Sequence, residues 1–199
     1  MRIGGLISSL NIELAFKEAG RLKGISKITE LKMPIVIPAT DLISSREIIF
    51  TNDTELKGDN YIHDIELAKA VRASATFPGM YGPFEYKEFQ FVDGGIFNNI
   101  PVKEVKETGV DTVIGIKFNV RENKKNNTMY NIIMQTVDII ADNLMTEQCR
   151  ASDCLVDIKL TGVKVFSINK IDFCYEEGYR QTMEQMEKIK EILKSDKTA

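Results

Sequence analysis

The sequence predicts a mixed α/β fold in a single domain of 199 residues. Short apolar runs rich in β-branched residues alternate with segments whose apolar residues recur at helical spacing, as in layered α/β proteins. The run at residues 34–40, PIVIPAT, is compact and apolar, which is typical of a strand buried on both faces. No low-complexity linker or internal repeat divides the chain, so one domain over residues 1–199 is expected.

The first half of the chain contains two predicted helices and three predicted strands. Residues 12–19 form a short helix that Gly20 would end, since glycine is favoured just past a helix terminus. A second helix begins near Asp64 and ends before Pro78, because the residue before a proline avoids the helical region. Strands are predicted at 34–40, 46–51 and 89–92, with a polar loop at 52–60.

The second half continues the alternation of strands and helices. Pro101 suits the first turn of a helix that ends before Gly109. Apolar residues at helical spacing predict a long amphipathic helix over 129–144 and a terminal helix over 178–193. Further strands are predicted at 111–118 and 155–160, and a polar loop at 121–128.

Composition excludes several classes of function. The formal net charge is −3, so no basic surface for nucleic acid is expected. Three cysteines without a C-x-x-C spacing and a single histidine argue against a zinc site, and no EF-hand pattern occurs. No apolar run reaches the ~18–20 residues needed to span a bilayer. The sequence thus predicts a cytoplasmic protein with reduced thiols, no cofactor and no metal, which could still contact membranes peripherally.

Asp93, Gly94 and Gly95 form the motif with the clearest chemical meaning. A D-G-G sequence alone is most often a simple turn, because Asp and Gly favour turns for local reasons. Here it follows the predicted strand 89–92, which would present the Asp93 carboxylate at the C-terminal edge of the sheet, where open α/β folds place their ligands. The two glycines remove side-chain bulk, so that another backbone or a substrate can approach closely.

The residues around this motif form an ordered pattern that resembles the patatin-like phospholipase family. The resemblance extends over roughly residues 30 to 180. Its parts are PIVIPATD at 34–41, A-S-x-x-x-P at 73–78, D-G-G at 93–95, N-x-P at 99–101, Gly109-Val110-Asp111 before a strand, Asp172-Phe173 and Gly178-Tyr179.

This resemblance implies a three-layer αβα fold with a mostly parallel central sheet. It also implies hydrolysis of a phospholipid or another acyl ester lipid at a transiently contacted membrane surface. A serine hydroxyl would attack the ester, Asp93 would act as general base, and Gly94, Gly95 and Asn98 would support the site. A histidine-based triad is not expected, since His63 is the one histidine and lies in a predicted loop.

The nucleophile required by this chemistry has no recognisable counterpart in the chain. No G-x-S-x-G sequence, the strand-to-helix turn that exposes a nucleophilic serine, occurs from residue 1 to 199. Ser8, Ser9 and Ser26 lack the flanking glycines, and Ser74 matches a structural position of the family pattern. No nucleophile is therefore assigned among these residues.

The expected explanation is a chain that lacks the N-terminal strand–helix units of the family and supplies only the aspartate of the dyad. An uncovered face left in this way would favour a homodimer. The alternative is a catalytically inactive protein with a patatin-like fold, serving as a lipid-binding or interaction scaffold. A dinucleotide-binding domain is disfavoured, because VDGGIFNN at 92–99 has the wrong glycine spacing.

Overall fold

A computed structural model describes residues 8–120, 128–163 and 168–195 of the protein. Its largest element is a five-stranded sheet with strand order β3-β2-β1-β5-β4, and β6 pairs with β7 in a separate two-stranded sheet. The helices are α1 Leu10–Lys23, α2 Leu67–Ser74, α3 Val102–Glu107, α4 Met129–Ala151, α5 Ile171–Glu184 and α6 Met186–Ser195. The strands are β1 Val36–Asp41, β2 Arg46–Thr51, β3 Tyr61–Ile62, β4 Phe84–Tyr86, β5 Phe89–Asp93, β6 Ile114–Asn119 and β7 Cys154–Lys159.

The mixed α/β class is confirmed, but the strand directions of the five-stranded sheet differ from the mostly parallel expectation. β1 is antiparallel to both β2 and β5, β4 is antiparallel to β5, and only β2 and β3 are parallel. The reason is the length of the connections, since a parallel pair requires a crossover of about a dozen residues or more. Residues 42–45 join β1 to β2, and residues 87–88 join β4 to β5, so both pairs are hairpins. The parallel prediction holds for β6 and β7.

Several element boundaries also differ from the sequence predictions. The first helix continues through Gly20 and ends at Gly24, whose φ of 69° places it in the left-handed region that glycine tolerates. Glu66, rather than Asp64, is the N-cap of α2. The predicted terminal helix begins earlier and is divided at Gln185 into α5 and α6. Most of the predicted loop at 121–128 lies outside the described residues.

The main core lies between the five-stranded sheet and α2. Phe50 of β2 and Phe91 of β5 are fully buried, and their rings meet edge to face at a centroid distance of 5.3 Å. The face of α2 directed at them carries the small residues Ala70 and Ala73, both fully buried. Small side chains let the helix axis approach the sheet closely, so the C-terminal end of α2 lies next to the ends of β1 and β5.

An ion pair between Arg72 and Glu13 joins α1 to α2. The Arg72 Nη1 atom lies 2.6 Å from Glu13 Oε2, and both side chains are less than one-fifth exposed. Arg72 Nε also donates to the Ser9 hydroxyl at 2.9 Å, and its guanidinium lies over the Phe84 ring. A charged group at this depth depends on its partners, because burying an unpaired charge is costly.

We expect Glu13→Ala to lower the free energy of unfolding by about 1–3 kcal/mol, since Arg72 would keep its charge without its counter-ion. Glu18→Ala is the control on the same helix. Its ion pair with Arg21 is exposed, so little change is expected. Urea denaturation of the two variants measures the difference. Equal stabilities would show that the buried pair does not join α1 to α2 energetically.

Candidate active site

Asp93 is the last residue of β5, as predicted, and its backbone is fixed on two sides. The Asp93 N–H donates to the Thr76 carbonyl at 3.0 Å, just past the end of α2. The Asp93 carbonyl accepts from the Thr40 hydroxyl of β1 at 3.0 Å. Thr40 and Thr76 are both buried. Neither threonine carries a local sequence signal for this contact, although Thr40 lies in PIVIPATD at 34–41 and Thr76 lies within A-S-x-x-x-P at 73–78.

The Asp93 carboxylate is half-buried and accepts one backbone hydrogen bond. Its Oδ1 atom accepts from the Gly95 N–H at 2.8 Å, which makes Asp93 the cap of the 3₁₀ turn Gly94–Ile96. Burial raises the pKa of Asp93 above its usual value, and the Gly95 hydrogen bond opposes the shift without cancelling it. A half-buried carboxylate of raised pKa is a better proton acceptor than a surface aspartate.

Asp41 provides a contrast within the same sheet. It ends β1, is almost completely buried, and accepts hydrogen bonds from the Ser44 hydroxyl and from the backbone N–H groups of Ile43, Ser44 and Gln90. Burial raises the pKa of Asp41, but these hydrogen bonds outweigh it, and the net pKa lies below the usual value. Asp41 thus stabilises the hairpin turn as a fixed anion, whereas Asp93 retains capacity for proton transfer.

Gly94 and Gly95 allow the close approaches that the sequence predicted for them. A Cβ atom at Gly94 would lie 2.2 Å from the Pro38 carbonyl oxygen of β1, which is an impossible contact with backbone. At Gly95 it would lie 3.0 Å from the Asp93 Oδ1 atom and 3.3 Å from the Asn99 side chain. Gly94 therefore lets the turn pack against β1, and Gly95 leaves space beside the carboxylate.

Asn98 lies at the rear of this turn rather than beside the carboxylate. Its side chain is buried, and its Nδ2 donates to Glu104 Oε2 of α3 at 2.6 Å. The Asn98 backbone N–H donates to the Gly94 carbonyl at 2.9 Å. The predicted role of Asn98 as a supporting residue stays a prediction. Its contacts place it in the scaffold of the turn.

Gln148 of α4 is a further contact of this segment that sequence reasoning missed. Its Oε1 accepts from the backbone N–H groups of Asn99 and Ile100, at 3.2 and 3.1 Å, and its Nε2 donates to the Phe97 carbonyl at 3.1 Å. One side-chain amide therefore satisfies three backbone groups of the 97–100 segment. Nothing in the local sequence around Gln148 signals this role, because its partners lie about fifty positions earlier in the chain.

The serines weighed as nucleophiles are not hydrogen-bonded to the Asp93 carboxylate, and two of them have other partners. The Ser9 hydroxyl accepts from Arg72, and the Ser8 hydroxyl accepts from the Leu10 N–H. Ser26 is exposed and precedes the 3₁₀ turn Ile28–Glu30. Within the described residues, no serine hydroxyl is hydrogen-bonded to Asp93, and the Gly95 N–H donates to its carboxylate.

A cavity of about 450 Å³ opens elsewhere, between α1 and the N-terminal end of α2. Its lining includes Leu14, Phe16, Arg21 and Leu67. Asp93 does not contribute to it, since the carboxylate lies near the opposite end of α2.

In the part of the chain that the structure covers, no helix is both long and apolar enough to cross a bilayer.

Comparison with known proteins identifies the family of the chain. The model of the family described as patatin-like phospholipase matches residues 4–106, slightly more than half of the chain. The match includes the Asp93-Gly94-Gly95 turn and all five strands of the larger sheet. The chain therefore belongs to the patatin-like phospholipase family. The resemblances noted at 109–111 and 172–179 lie beyond the matched range.

Curated relatives point to the same family. The protein "Probable lipid hydrolase 463L" of Invertebrate iridescent virus 6 is 30% identical over 129 residues, which cover 61% of this chain and 39% of the relative. An uncharacterized NTE family protein of Mycobacterium tuberculosis (strain ATCC 25618 / H37Rv) is 27% identical over 92 residues, covering 46% of this chain and 22% of the relative. The chain thus matches between about one-fifth and two-fifths of the length of these relatives.

We expect Gly94→Ala to destabilise the protein by about 3 kcal/mol, at the upper end of the range for overpacking, because its methyl group would have to displace the backbone at Pro38. Gly178→Ala is the matched control. Gly178 lies in α5, where a Cβ would make an ordinary contact of 3.8 Å, so alanine should stabilise the helix by about 0.5–1 kcal/mol. Denaturant midpoints compare the two. Similar midpoints would contradict the tight packing of the turn against β1.

Proposed function

We propose that this chain supplies the aspartate of a serine–aspartate dyad in a lipid acyl hydrolase. The observation that carries the proposal is the Asp93 carboxylate, which lies at the end of a strand with a raised pKa and a single backbone hydrogen bond. Family membership and the name of the viral relative, a probable lipid hydrolase, support an acyl ester lipid as the substrate class.

In the proposed reaction Asp93 accepts the proton of a serine hydroxyl as that oxygen attacks the ester carbonyl. The serine–acyl bond forms, and the alcohol of the lipid leaves with a proton returned from Asp93. Water then attacks the acyl-enzyme while Asp93 accepts its proton. The serine–acyl bond breaks, Asp93 returns that proton to the serine oxygen, and a fatty acid is released. General bases of this kind typically contribute ~10²–10⁴-fold to the rate.

Residues 1–199 contain no G-x-S-x-G turn to provide that serine, so we propose that this chain does not hydrolyse lipid by itself. The dyad would be complete only when such a serine is placed near Asp93. The substrate would be a glycerophospholipid or a neutral acyl ester, met during transient contact with a membrane surface. The proposed location is the cytoplasm.

A catalytically inactive, lipid-binding or interaction scaffold is the second candidate. It is favoured by one observation: within the described residues, no serine hydroxyl is hydrogen-bonded to Asp93. The two proposals differ in the effect of adding a nucleophile. If the chain is part of a hydrolase, adding the nucleophile gives activity that depends on Asp93. If it is a scaffold, adding the nucleophile gives no activity.

The first test is labelling of the purified chain with a fluorophosphonate probe, which reacts with activated serines, followed by peptide mapping. We expect no labelled peptide from the folded chain. A labelled serine would show that a nucleophile exists within residues 1–199 and would overturn the proposal that the chain supplies only the aspartate.

The second test uses a form of the protein that carries a G-x-S-x-G serine segment and hydrolyses phospholipid vesicles. There, Asp93→Asn should lower kcat by ~10²–10⁴-fold, because the amide cannot accept the serine proton. Asp59→Asn, at an exposed loop carboxylate, is the control and should leave kcat unchanged. Turnover retained in Asp93→Asn would remove Asp93 from the mechanism. A serine-carrying form without any turnover would favour the scaffold.

The raised pKa of Asp93 also predicts a pH dependence of stability in the 199-residue chain. The folded state binds this proton more tightly than the unfolded state, so the stabilisation it gives is present below the unfolded pKa of about 3.9 and is lost as pH rises through the folded pKa. The Asp93→Asn side chain does not ionise, so no stabilisation is lost there as pH rises, and its side-chain oxygen still accepts from the Gly95 N–H. We therefore expect this variant to exceed the wild type in stability at pH 8, by a margin that shrinks as pH falls toward 4.

Urea denaturation of the wild type, Asp93→Asn and the control Asp59→Asn at a series of pH values measures this margin. A margin that does not change with pH, or one that Asp59→Asn reproduces, would contradict burial of the Asp93 charge.

Self-association through β6 is the proposed oligomeric arrangement. The strand pairs only with β7 among the described strands, and Ile114, Ile116 and Phe118 on one of its faces are all more than one-third exposed. In a two-fold dimer the free edges of two β6 strands would pair antiparallel, which places these side chains in one continuous apolar row.

We expect a dimer at micromolar concentration by analytical ultracentrifugation. Ile116→Lys should yield a monomer, because a lysine on an edge strand opposes edge-to-edge pairing. Ile43→Lys, at an exposed position in the β1–β2 turn, should remain dimeric. A wild-type monomer, or equal effects of the two variants, would contradict the β6 interface.

A further inference from the structure

Three polar side chains from different elements meet behind the Asp93 turn. Glu47 belongs to β2, Asn98 to the segment after the turn, and Glu104 to α3. Asn98 and Glu104 are each only 8% exposed, and Glu47 is half-buried. The Asn98 Nδ2 donates to Glu104 Oε2 at 2.6 Å, and Glu47 lies close enough to the Asn98 side chain to interact with it. The side chain of Asn98 therefore lies next to two carboxyl groups.

This cluster contains more acceptors than donors. The Asn98 amide donates to Glu104, and an ionised carboxylate can only accept hydrogen bonds. Glu47 Oε1 and Asn98 Oδ1 are both buried atoms without a hydrogen-bond partner among the described residues. Buried unpaired acceptors are rare in folded proteins, so a donor to these oxygens is expected.

A proton on Glu47 is the donor that the surroundings favour. Burial raises the pKa of Glu47, and the nearby charge of Glu104 raises it further. The Asn98 hydrogen bond and the charge of Lys103 lower it, but the net pKa is above the usual value. The Lys103 side chain is 81% exposed, so it compensates little for a second buried charge.

The other ionisable groups facing Glu47 do not change this balance. Glu107 of α3 adds to the rise in the pKa of Glu47. Tyr61 of β3 donates its hydroxyl to Glu107 at 3.0 Å, so it is engaged there. Lys103 is the cationic side chain whose charge lowers the pKa of Glu47, and the rise caused by burial and by Glu104 exceeds it.

The cluster is connected to the Asp93 carboxylate through the backbone. The Asn98 N–H donates to the Gly94 carbonyl at 2.9 Å, which closes the turn. Gly94 is packed against β1, and the next residue, Gly95, donates its N–H to Asp93 Oδ1 at 2.8 Å. Asn98 is therefore connected through the Gly94 carbonyl to the residue that precedes the Gly95 N–H.

We propose that Glu47 is held protonated by this cluster and donates its hydroxyl to the Asn98 carbonyl oxygen, so that Glu47 and Asn98 are positioning residues for Asp93. The functional meaning of this positioning rests on the proposed role of Asp93. The arrangement itself is a property of the folded chain. Loss of the Glu47 proton would leave an anion beside Glu104 and would remove the donor to Asn98, which loosens the turn.

The test is a pH titration of the ¹⁵N-labelled 199-residue chain by NMR, observing the Gly95 amide. We expect two transitions in its chemical shift. One belongs to Asp93 and disappears in Asp93→Asn. The other belongs to Glu47 and disappears in Glu47→Gln, whose amide keeps a donor at the same place. Retention of both transitions in Glu47→Gln would overturn the proposal.

Gln148→Ala distinguishes a positional role of the proton from simple structural support. It removes three hydrogen bonds to the 97–100 segment but adds or removes no charge. This variant should shift the Gly95 signal at every pH and should keep both transitions. If the Glu47 transition vanished in Gln148→Ala as well, the effect would be structural, and the proposal would fail.

A second measurement needs no variant. The ¹³C carboxyl signal of Glu47 in the wild type should titrate with a midpoint above that of the surface glutamates. A midpoint equal to theirs would overturn the proposal. Removal of the Glu47 transition by millimolar Ca²⁺ or Mg²⁺ would also overturn the proposal, because a bound cation rather than a proton would then pair with these oxygens. Neither NMR measurement depends on hydrolysis. The proposed function can therefore fail while this inference holds, and this inference can fail while the proposed function holds.

Discussion

The contact between Gly94 and the Pro38 carbonyl is the constraint on which the geometry of the site depends. It brings the turn after β5 directly onto the backbone of β1, a separation that any side chain at Gly94 would prevent. Because the turn is fixed there, the Gly95 N–H points at the Asp93 carboxylate and the Asn98 side chain points toward the interior. The Asp93 carboxylate and the polar cluster of Glu47, Asn98 and Glu104 thus lie on two sides of one short turn.

The same sheet shows how environment assigns different roles to two aspartates. Asp41 and Asp93 both lie at strand ends, and burial acts on both in the same direction. The difference is the number of donors, since Asp41 accepts several hydrogen bonds and Asp93 accepts one. A carboxylate surrounded by donors is stable as an anion but is a weak base. Asp93 accepts fewer hydrogen bonds, so its carboxylate holds a proton more readily than that of Asp41.

The sequence was sufficient to locate Asp93, because the motif follows an apolar strand and local patterns report strands well. It was insufficient for the direction of the strands. The four residues at 42–45 are too few for a crossover, yet the family resemblance suggested a parallel sheet. The sequence also did not predict which residues contact the turn. Gln148 and Glu47 approach it from about fifty positions away along the chain, and no periodicity encodes such contacts.

The hairpin connections have a consequence for the order in which the chain folds. β1 and β2, and likewise β4 and β5, are joined by a few residues, so their ladders close over short loops with a small loss of chain entropy. The pairing of β6 with β7 must wait for closure across residues 120–153, which includes all of α4. Contacts that are local in sequence form faster than distant ones. The two hairpins, one of which ends in Asp93, would therefore form first, whereas the β1–β5 pairing that joins them must close over residues 42–88.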